Sequence, residues 1–186
     1  FGYAKTVDVS VYERNKEAAD AENRYVLTCK NTDKICIFTN KGQMHLLKVL
    51  DLPYGKFRDK GIPIDNLSNY NSSEENFVYI INLGAIVHSR LLFGTKTAML
   101  KMVDGSEFDV AKRTTAATKL NDEDELLIVR AVTGEETIVM QSEKEMFLRI
   151  EASTIPEKKK GAVGVRGMKL NAGDALSNIY VLDGEN

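Results

Sequence analysis

Basic side chains recur at one point of a repeated pattern. Lys56, Arg58 and Lys60 form one cluster, Lys112 and Arg113 with Lys119 a second, and Lys158, Lys159 and Lys160 with Arg166 and Lys169 a third. Ammonium and guanidinium groups in such runs bind phosphates without reading bases, and a radial repeat would carry equivalent loops to equivalent places, joining them into one curved track. A single charge run is ordinarily a solvated face; the recurrence gives it meaning. Catalysis finds no comparable support. His45 and His88 are isolated and read as packed or surface side chains. Asp122, Glu123 and Asp124 read as a solvated turn without the spacing of a calcium loop. Cys29 and Cys36 flank a turn-like Asn31-Thr32-Asp33-Lys34 and read as small buried hydrophobes in a reducing compartment; the two histidines add no zinc spacing. The glycines around Arg166-Gly167-Met168-Lys169 match neither a dinucleotide fingerprint nor a phosphate loop opening a helix. No catalytic residue, metal or cofactor is therefore expected in this chain.

The elements that must position these clusters are β-hairpins. Ile35–Thr39 and Met44–Leu50 are apolar and rich in β-formers, and in Asn40-Lys41-Gly42 between them glycine alone takes φ > 0 without cost. Gly42 is thus a structural residue. Related hairpins run from Leu91 to Val103 and from Thr137 to Ile150, and Gly2 to Ser10 looks like the second arm of a fourth copy. The second hairpin has Thr95 or Thr97 where Gly42 would fall, so its turn should differ in shape. A further unit follows each hairpin: Gly61–Leu67, Thr115–Leu126 and Gly164–Leu176. Its leucines, Leu67, Leu120 and Leu170, are spaced by 53 and 50 residues. A period of roughly 50 with strand pairs belongs to blade repeats. Gly167 should hold an edge close to its neighbour, with Arg166 and Met168 on opposite faces.

The expected fold is all-β, its repeats arranged as radial blades: about four blade units with incomplete termini, in one domain over 1–186. The repeat units fall near 1–24, 25–76, 77–124 and 125–186. Gly2–Tyr12 reads as a strand; Glu13–Arg24, polar and alanine-containing, has the composition for one or two helical turns but for want of an apolar stripe reads as a linker or exposed loop; Tyr25–Cys29 reads as a strand. Lys5 and Lys48 read as edge residues. If the disc closes, Ser177–Leu182 should pair near Gly2–Val7. With 43% hydrophobic and 28% charged residues the chain is no disordered polymer, and its net charge of -2 restricts nucleic-acid affinity to local patches. No apolar run is long enough to span a bilayer. The first residue is Phe1, which suggests a piece of a longer protein.

The FTNKG turn, the following Leu52-Pro53, the basic loop into GIPIDNL, and above all GAVGVRGMKLNAGD (Gly161–Asp174) resemble the C-terminal domain of the A subunit of bacterial type IIA topoisomerases, DNA gyrase and topoisomerase IV. Gly2-Tyr3-Ala4-Lys5-Thr6 resembles the strand that ends a first blade in that family. The resemblance implies a β-pinwheel, a disc of four-stranded blades with strand exchange between neighbours, and a basic rim that binds and bends double-stranded DNA without sequence preference. It implies, as partners, an ATPase subunit together with the N-terminal cleavage core of the same polypeptide, with ATP and Mg2+ used elsewhere in the enzyme, and a monomeric, cytoplasmic, nucleoid-associated domain. The place of the basic gyrase box holds Glu13-Arg14-Asn15-Lys16-Glu17-Ala18-Ala19 instead, which favours a topoisomerase IV-like or divergent gyrase-like parent. The alternative is a propeller-like protein-interaction module.

Overall fold

Strand-forming runs fill most of the chain, and the architecture follows from which run pairs with which. The computed structural model describes residues 2–183. In order come β1 (Tyr3–Ala4), α1 (Val9–Arg14), α2 (Lys16–Glu22), β2 (Lys34–Thr39), β3 (Gln43–Lys48), β4 (Ile62–Pro63), β5 (Phe77–Asn82) and α3 (Leu83–Ile86). Then follow β6 (Arg90–Thr95), β7 (Met99–Asp104), β8 (Thr114–Ala116), β9 (Leu126–Val132), β10 (Thr137–Ser142), β11 (Phe147–Glu151), β12 (Val165–Arg166) and β13 (Leu176–Leu182). They form four sheets, ordered β5-β2-β3-β8, β9-β6-β7-β12, β13-β10-β11 and β1-β4.

The outer strand of a blade comes from the next repeat. β8, downstream of the β6–β7 hairpin, pairs with β3 (Thr115 opposite Met44), and β12, downstream of β10–β11, pairs with β7 (Val165 opposite Leu100). Ile62 opposite Ala4 repeats this in β4 and β1. The result is an all-β pinwheel, open rather than closed. Successive residues of a central strand face different neighbours, so both faces are apolar. Cys36 and Phe38 meet Leu91, Phe93 and Phe108 on one side; Ile35 and Ile37 meet Ile64 and Tyr70 on the other. Between the second and third blades, Leu92, Leu100 and Met102 meet Ile138 and Met140.

Several sequence expectations need correction. Glu13–Arg24 is not a linker: with Val9–Tyr12, read as strand, it makes α1 and α2. Local hydrogen bonds carry these helices in place of an apolar stripe. The Asn15 and Asn23 amides donate to carbonyls four residues back, each at 2.8 Å, the Tyr12 hydroxyl donates to Asp20, and Ala19 is the buried residue of α2. Tyr25–Cys29 is not a strand, because β2 is already flanked by β3 and β5; Val26 and Leu27 are left exposed. The disc does not close through its ends, since β13 pairs with β10 (Val181 opposite Ile138) and β1 with β4.

The second hairpin turn, expected to differ, has the shape of the first. Gly42, Ala98 and Glu145 take φ of 74°, 65° and 59°. Each of their amides donates to the carbonyl three residues back, on Thr39, Thr95 and Ser142, at 3.0 Å. The left-handed residue falls one place beyond Thr97, so no β-branched side chain has to adopt it.

Candidate nucleic-acid interface

The outer strands β4, β8 and β12 deliver the basic residues, and two of the three do so by the same excursion. After Pro53 the chain meets the strand end at Thr6 in a parallel bridge, Thr6 to Tyr54, leaves it, and returns antiparallel with Ile62 opposite Ala4. After Pro156 it bridges Met102 to Glu157, leaves, and returns with Val165 opposite Leu100. Matching bonds frame both: the Thr6 and Met102 amides donate to Pro53 and Pro156 carbonyls at 2.8 and 2.9 Å. The excursions are therefore equivalent, Gly55–Gly61 and Lys158–Gly164. In the middle repeat the Leu46 amide donates to the Arg113 carbonyl and Thr114 lies opposite His45 at once. Lys112 and Arg113 thus enter the strand directly, without a loop equivalent to the other two.

Lys56, Arg58, Lys112, Lys159, Arg166 and Lys169 are exposed, as is Lys119, while Lys158 and Lys160 are half-buried. Three of the named bases are partly engaged. Lys60 lies 4.4 Å over the Tyr3 ring, the Arg113 guanidinium donates to the Leu67 carbonyl at 3.0 Å, and the Lys160 ammonium donates to the Glu107 carbonyl at 3.0 Å. Lys5, Pro53, Tyr54 and Lys60 line an open cavity of about 300 Å³ beside the first excursion.

Residues passed over in the sequence hold these segments in place. Asp124 is buried and is no solvated turn residue: it accepts from the Thr97 amide and hydroxyl, at 3.1 and 2.6 Å, tying down the second hairpin tip. Asp174 accepts from the Lys144 amide at 3.2 Å in the equivalent place. Burial pushes the Asp174 carboxyl up, but hydrogen bonds from Ser142, Lys144 and Ala175 outweigh it and hold it below the usual range. His45, 3% exposed, donates from Nε2 to Glu75 at 3.0 Å, and its Nδ1 lies 2.8 Å from the Thr114 hydroxyl. The hydroxyl, imidazole and carboxylate have the types of a catalytic triad, but the His45–Thr114 contact joins β3 to β8, and Glu75 also accepts from the Thr39 hydroxyl of β2 at 2.9 Å. Gly167 donates its amide to the Ala98 carbonyl at 2.7 Å, and a Cβ there would lie 2.4 Å from Leu100 Cδ1. Arg166 is exposed and Met168 buried on either side of it. Among the described residues no group of three or more histidine, cysteine or acidic side chains is placed to hold a metal ion.

A family model described as "DNA gyrase C-terminal domain, beta-propeller" matches residues 89–133 and 136–183, which are the stretches holding β6–β9 and β10–β13. The chain belongs to this family. It is the C-terminal propeller domain of the A-type chain of a bacterial type IIA topoisomerase. Among curated relatives, the DNA gyrase A protein of Lawsonia intracellularis is 28% identical over 193 aligned residues, covering 97% of this chain and 23% of the relative. Its counterpart from Staphylococcus epidermidis is 30% identical, covering 86% of this chain and 18% of the relative. The chain thus spans about a fifth of the length of these relatives. Among solved structures, the C-terminal domain of DNA topoisomerase IV superposes with a TM-score of 0.83 at 21% identity, over 97% of this chain and 58% of that one. A DNA gyrase A C-terminal domain gives 0.60 at 22% identity, over 82% and 49%. Both likenesses concern the fold.

Proposed function

We propose that this gyrase-family domain binds and bends duplex DNA along its basic outer edge, presenting it for strand passage by an ATP-dependent type II topoisomerase. The observation that carries this reading is the pair of equivalent excursions, Gly55–Gly61 and Lys158–Gly164, which set lysines on the edges of different blades. Arg166 on β12 and Lys112, two residues before β8, add exposed charge at the outer strands. Phosphates position a protein without specifying sequence, so binding has little base preference. The partners are the cleavage core of the same polypeptide and the ATPase subunit, where ATP and Mg2+ act; the site of action is the cytoplasmic nucleoid. Glu13–Ala19 in place of the gyrase box favours a topoisomerase IV-like or divergent gyrase-like parent, with a modest bend and not a full wrap.

The test is a duplex titration at two salt concentrations. Each phosphate contact contributes about 0.9 to the log–log salt slope. Replacing Lys158, Lys159 and Lys160 together by alanine should lower the slope by about 2–3, weakening all sequences alike; the lower figure applies if Lys160 stays on Glu107. Absence of binding by the wild type, or an unchanged slope in the variant, would transfer the weight to a protein-interaction module. Phe147, 61% exposed at the start of β11, an edge strand with no outer partner among the described residues, favours that second reading.

A further inference from the structure

The fold buries a lysine beneath an excursion that itself carries lysines. Lys101, on β7, is 1% exposed. Its ammonium donates to the carbonyls of Lys159, Lys160 and Ala162 at 3.1, 3.2 and 2.7 Å, and it lies 5.4 Å from the Phe93 ring centroid. A buried ammonium is costly unless its donors are satisfied, and here three backbone acceptors of one loop satisfy it. Lys5 stands in the same place beneath the other excursion: its ammonium donates to the carbonyls of Phe57 and Asp59, the latter at 2.6 Å. Counting from the shared bridges, Phe57 and Asp59 correspond to Lys160 and Ala162. Two repeats thus use the same ammonium on the same carbonyls.

The other two repeats act as internal controls. In the middle repeat the excursion is absent, the corresponding strand residue is His45, and it meets the Thr114 side chain. Where the lysine is present, the residue re-entering the edge is glycine; a Cβ on Gly61 would lie 2.3 Å from the Ala4 carbonyl oxygen, and one on Gly164 2.5 Å from that of Leu100. Among the described residues no outer strand covers β11 in the third blade, and the corresponding residue is Leu148, left 38% exposed. Lysine therefore accompanies the excursion, and not the strand position as such.

We propose that Lys101 and Lys5 are positioning residues for DNA binding: each gathers the inward carbonyls of its excursion onto one ammonium and so sets the path that aims the loop's own bases at phosphate. This rests on the DNA-binding reading of the same loops. Neither lysine needs to touch DNA. The charged groups facing Lys101 are Glu107, from the turn after β7, and Lys158 of the loop. Burial pushes the Lys101 ammonium down to about 8, with Glu107 opposing and Lys158 adding to the shift. Proton loss in mild alkali should therefore loosen the loop.

The variants are Lys101→Met and, should that fail to fold, Lys5→Met, whose site is only half-buried. Hydrogen exchange without DNA reads the loop directly. At matched global stability, the Lys160 and Ala162 amides should exchange at least about tenfold faster in Lys101→Met, and the Asp59 amide likewise in Lys5→Met, with amides of β6 and β9 unchanged. Unchanged loop exchange overturns the proposal. For DNA, Lys101→Met should lower the salt slope at about pH 7 toward that of a Lys158→Ala/Lys159→Ala variant and have no further effect in that background. The wild-type slope should also decline between about pH 7 and 9.5, with Lys101→Met flat over that range. An additive effect in the combined variant, or identical pH profiles, overturns the positioning role. Faster loop exchange in a protein that binds no DNA would sink the DNA-binding reading and the positioning role with it, leaving only the lysine's hold on the loop.

Discussion

Glu145→Gly should stabilise the domain, although it deletes a side chain. Glu145 holds φ 59° in the third hairpin turn, where Gly42 stands in the first. A non-glycine residue in the left-handed region costs about 1–2 kcal/mol, which glycine does not incur. Against this, glycine gives the unfolded chain more freedom, worth about 0.5–1 kcal/mol. Glu145 is exposed, and its part in the turn is a backbone bond from its amide to the Ser142 carbonyl at 3.0 Å, which glycine keeps. The net expectation is a gain of about 0.5–1 kcal/mol. With a urea m-value of about 2–3 kcal/mol/M, the midpoint rises by roughly 0.2–0.5 M at unchanged m. The reverse change calibrates it. Gly42→Ala acquires the strain at φ 74°, and its Cβ meets the Thr118 carbonyl oxygen at 3.1 Å and Leu120 Cδ1 at 3.2 Å, for a loss of about 1–2 kcal/mol. Urea unfolding followed by circular dichroism decides it. A lower midpoint for Glu145→Gly, or shifts of the same sign in both variants, would refute the claim that the hairpins share one turn under different strain.

Asp124→Ala strips the Thr97 amide of its buried acceptor and should cost about 2–3 kcal/mol by urea unfolding, against a few tenths for its exposed neighbour Asp122. The Glu136 carboxyl is pushed up by burial but held, on balance, below its ordinary 4.5 by hydrogen bonds from Thr133 and Gly134. A depressed carboxyl stabilises the fold above its unfolded pKa and loses that contribution as pH falls through the folded one. Stability should therefore drop below about pH 4.5, less steeply in Glu136→Gln, and equal slopes in acid unfolding would remove Glu136 from the account. DNA titrations of the Lys158/Lys159/Lys160 alanine variant carry the salt-slope expectation stated above.

What could be read in the sequence was whatever repeats and whatever is local. The three hairpins show as apolar runs broken by turns, and the unit spaced by Leu67, Leu120 and Leu170 shows as a period. The helices α1 and α2 escaped because Asn15, Asn23 and the Tyr12–Asp20 pair sustain them, and none of these leaves an apolar periodicity. Ala98 at φ 65° escaped because residue type alone does not reveal a strained turn; the hairpin register, once known, requires it. The missing excursion in the middle repeat escaped for a related reason, since Lys112-Arg113 looks like a basic loop until Thr114 is seen opposite His45. A signal was present: Lys101 and His45 each interrupt an apolar run in a strand buried on both faces. A charge or imidazole in that setting must have a partner waiting inside the fold.

Strand exchange makes each basic loop a property of two blades. The Lys158–Gly164 excursion belongs to the third repeat but is seated on β7 of the second, and Gly55–Gly61 belongs to the first full blade but is seated on β1. A duplex held by both loops would load the contacts between blades, among them the Phe38, Phe93 and Phe108 cluster, with ring centroids 5.1–6.0 Å apart. Bending a duplex costs about 1–6 kcal/mol, and phosphate contacts must offset it. With a net charge of -2 the molecule has no general field to draw DNA in. On the proposed reading the work falls on a few loops, and the ammonium groups of Lys5 and Lys101 join each excursion to the strand beneath it.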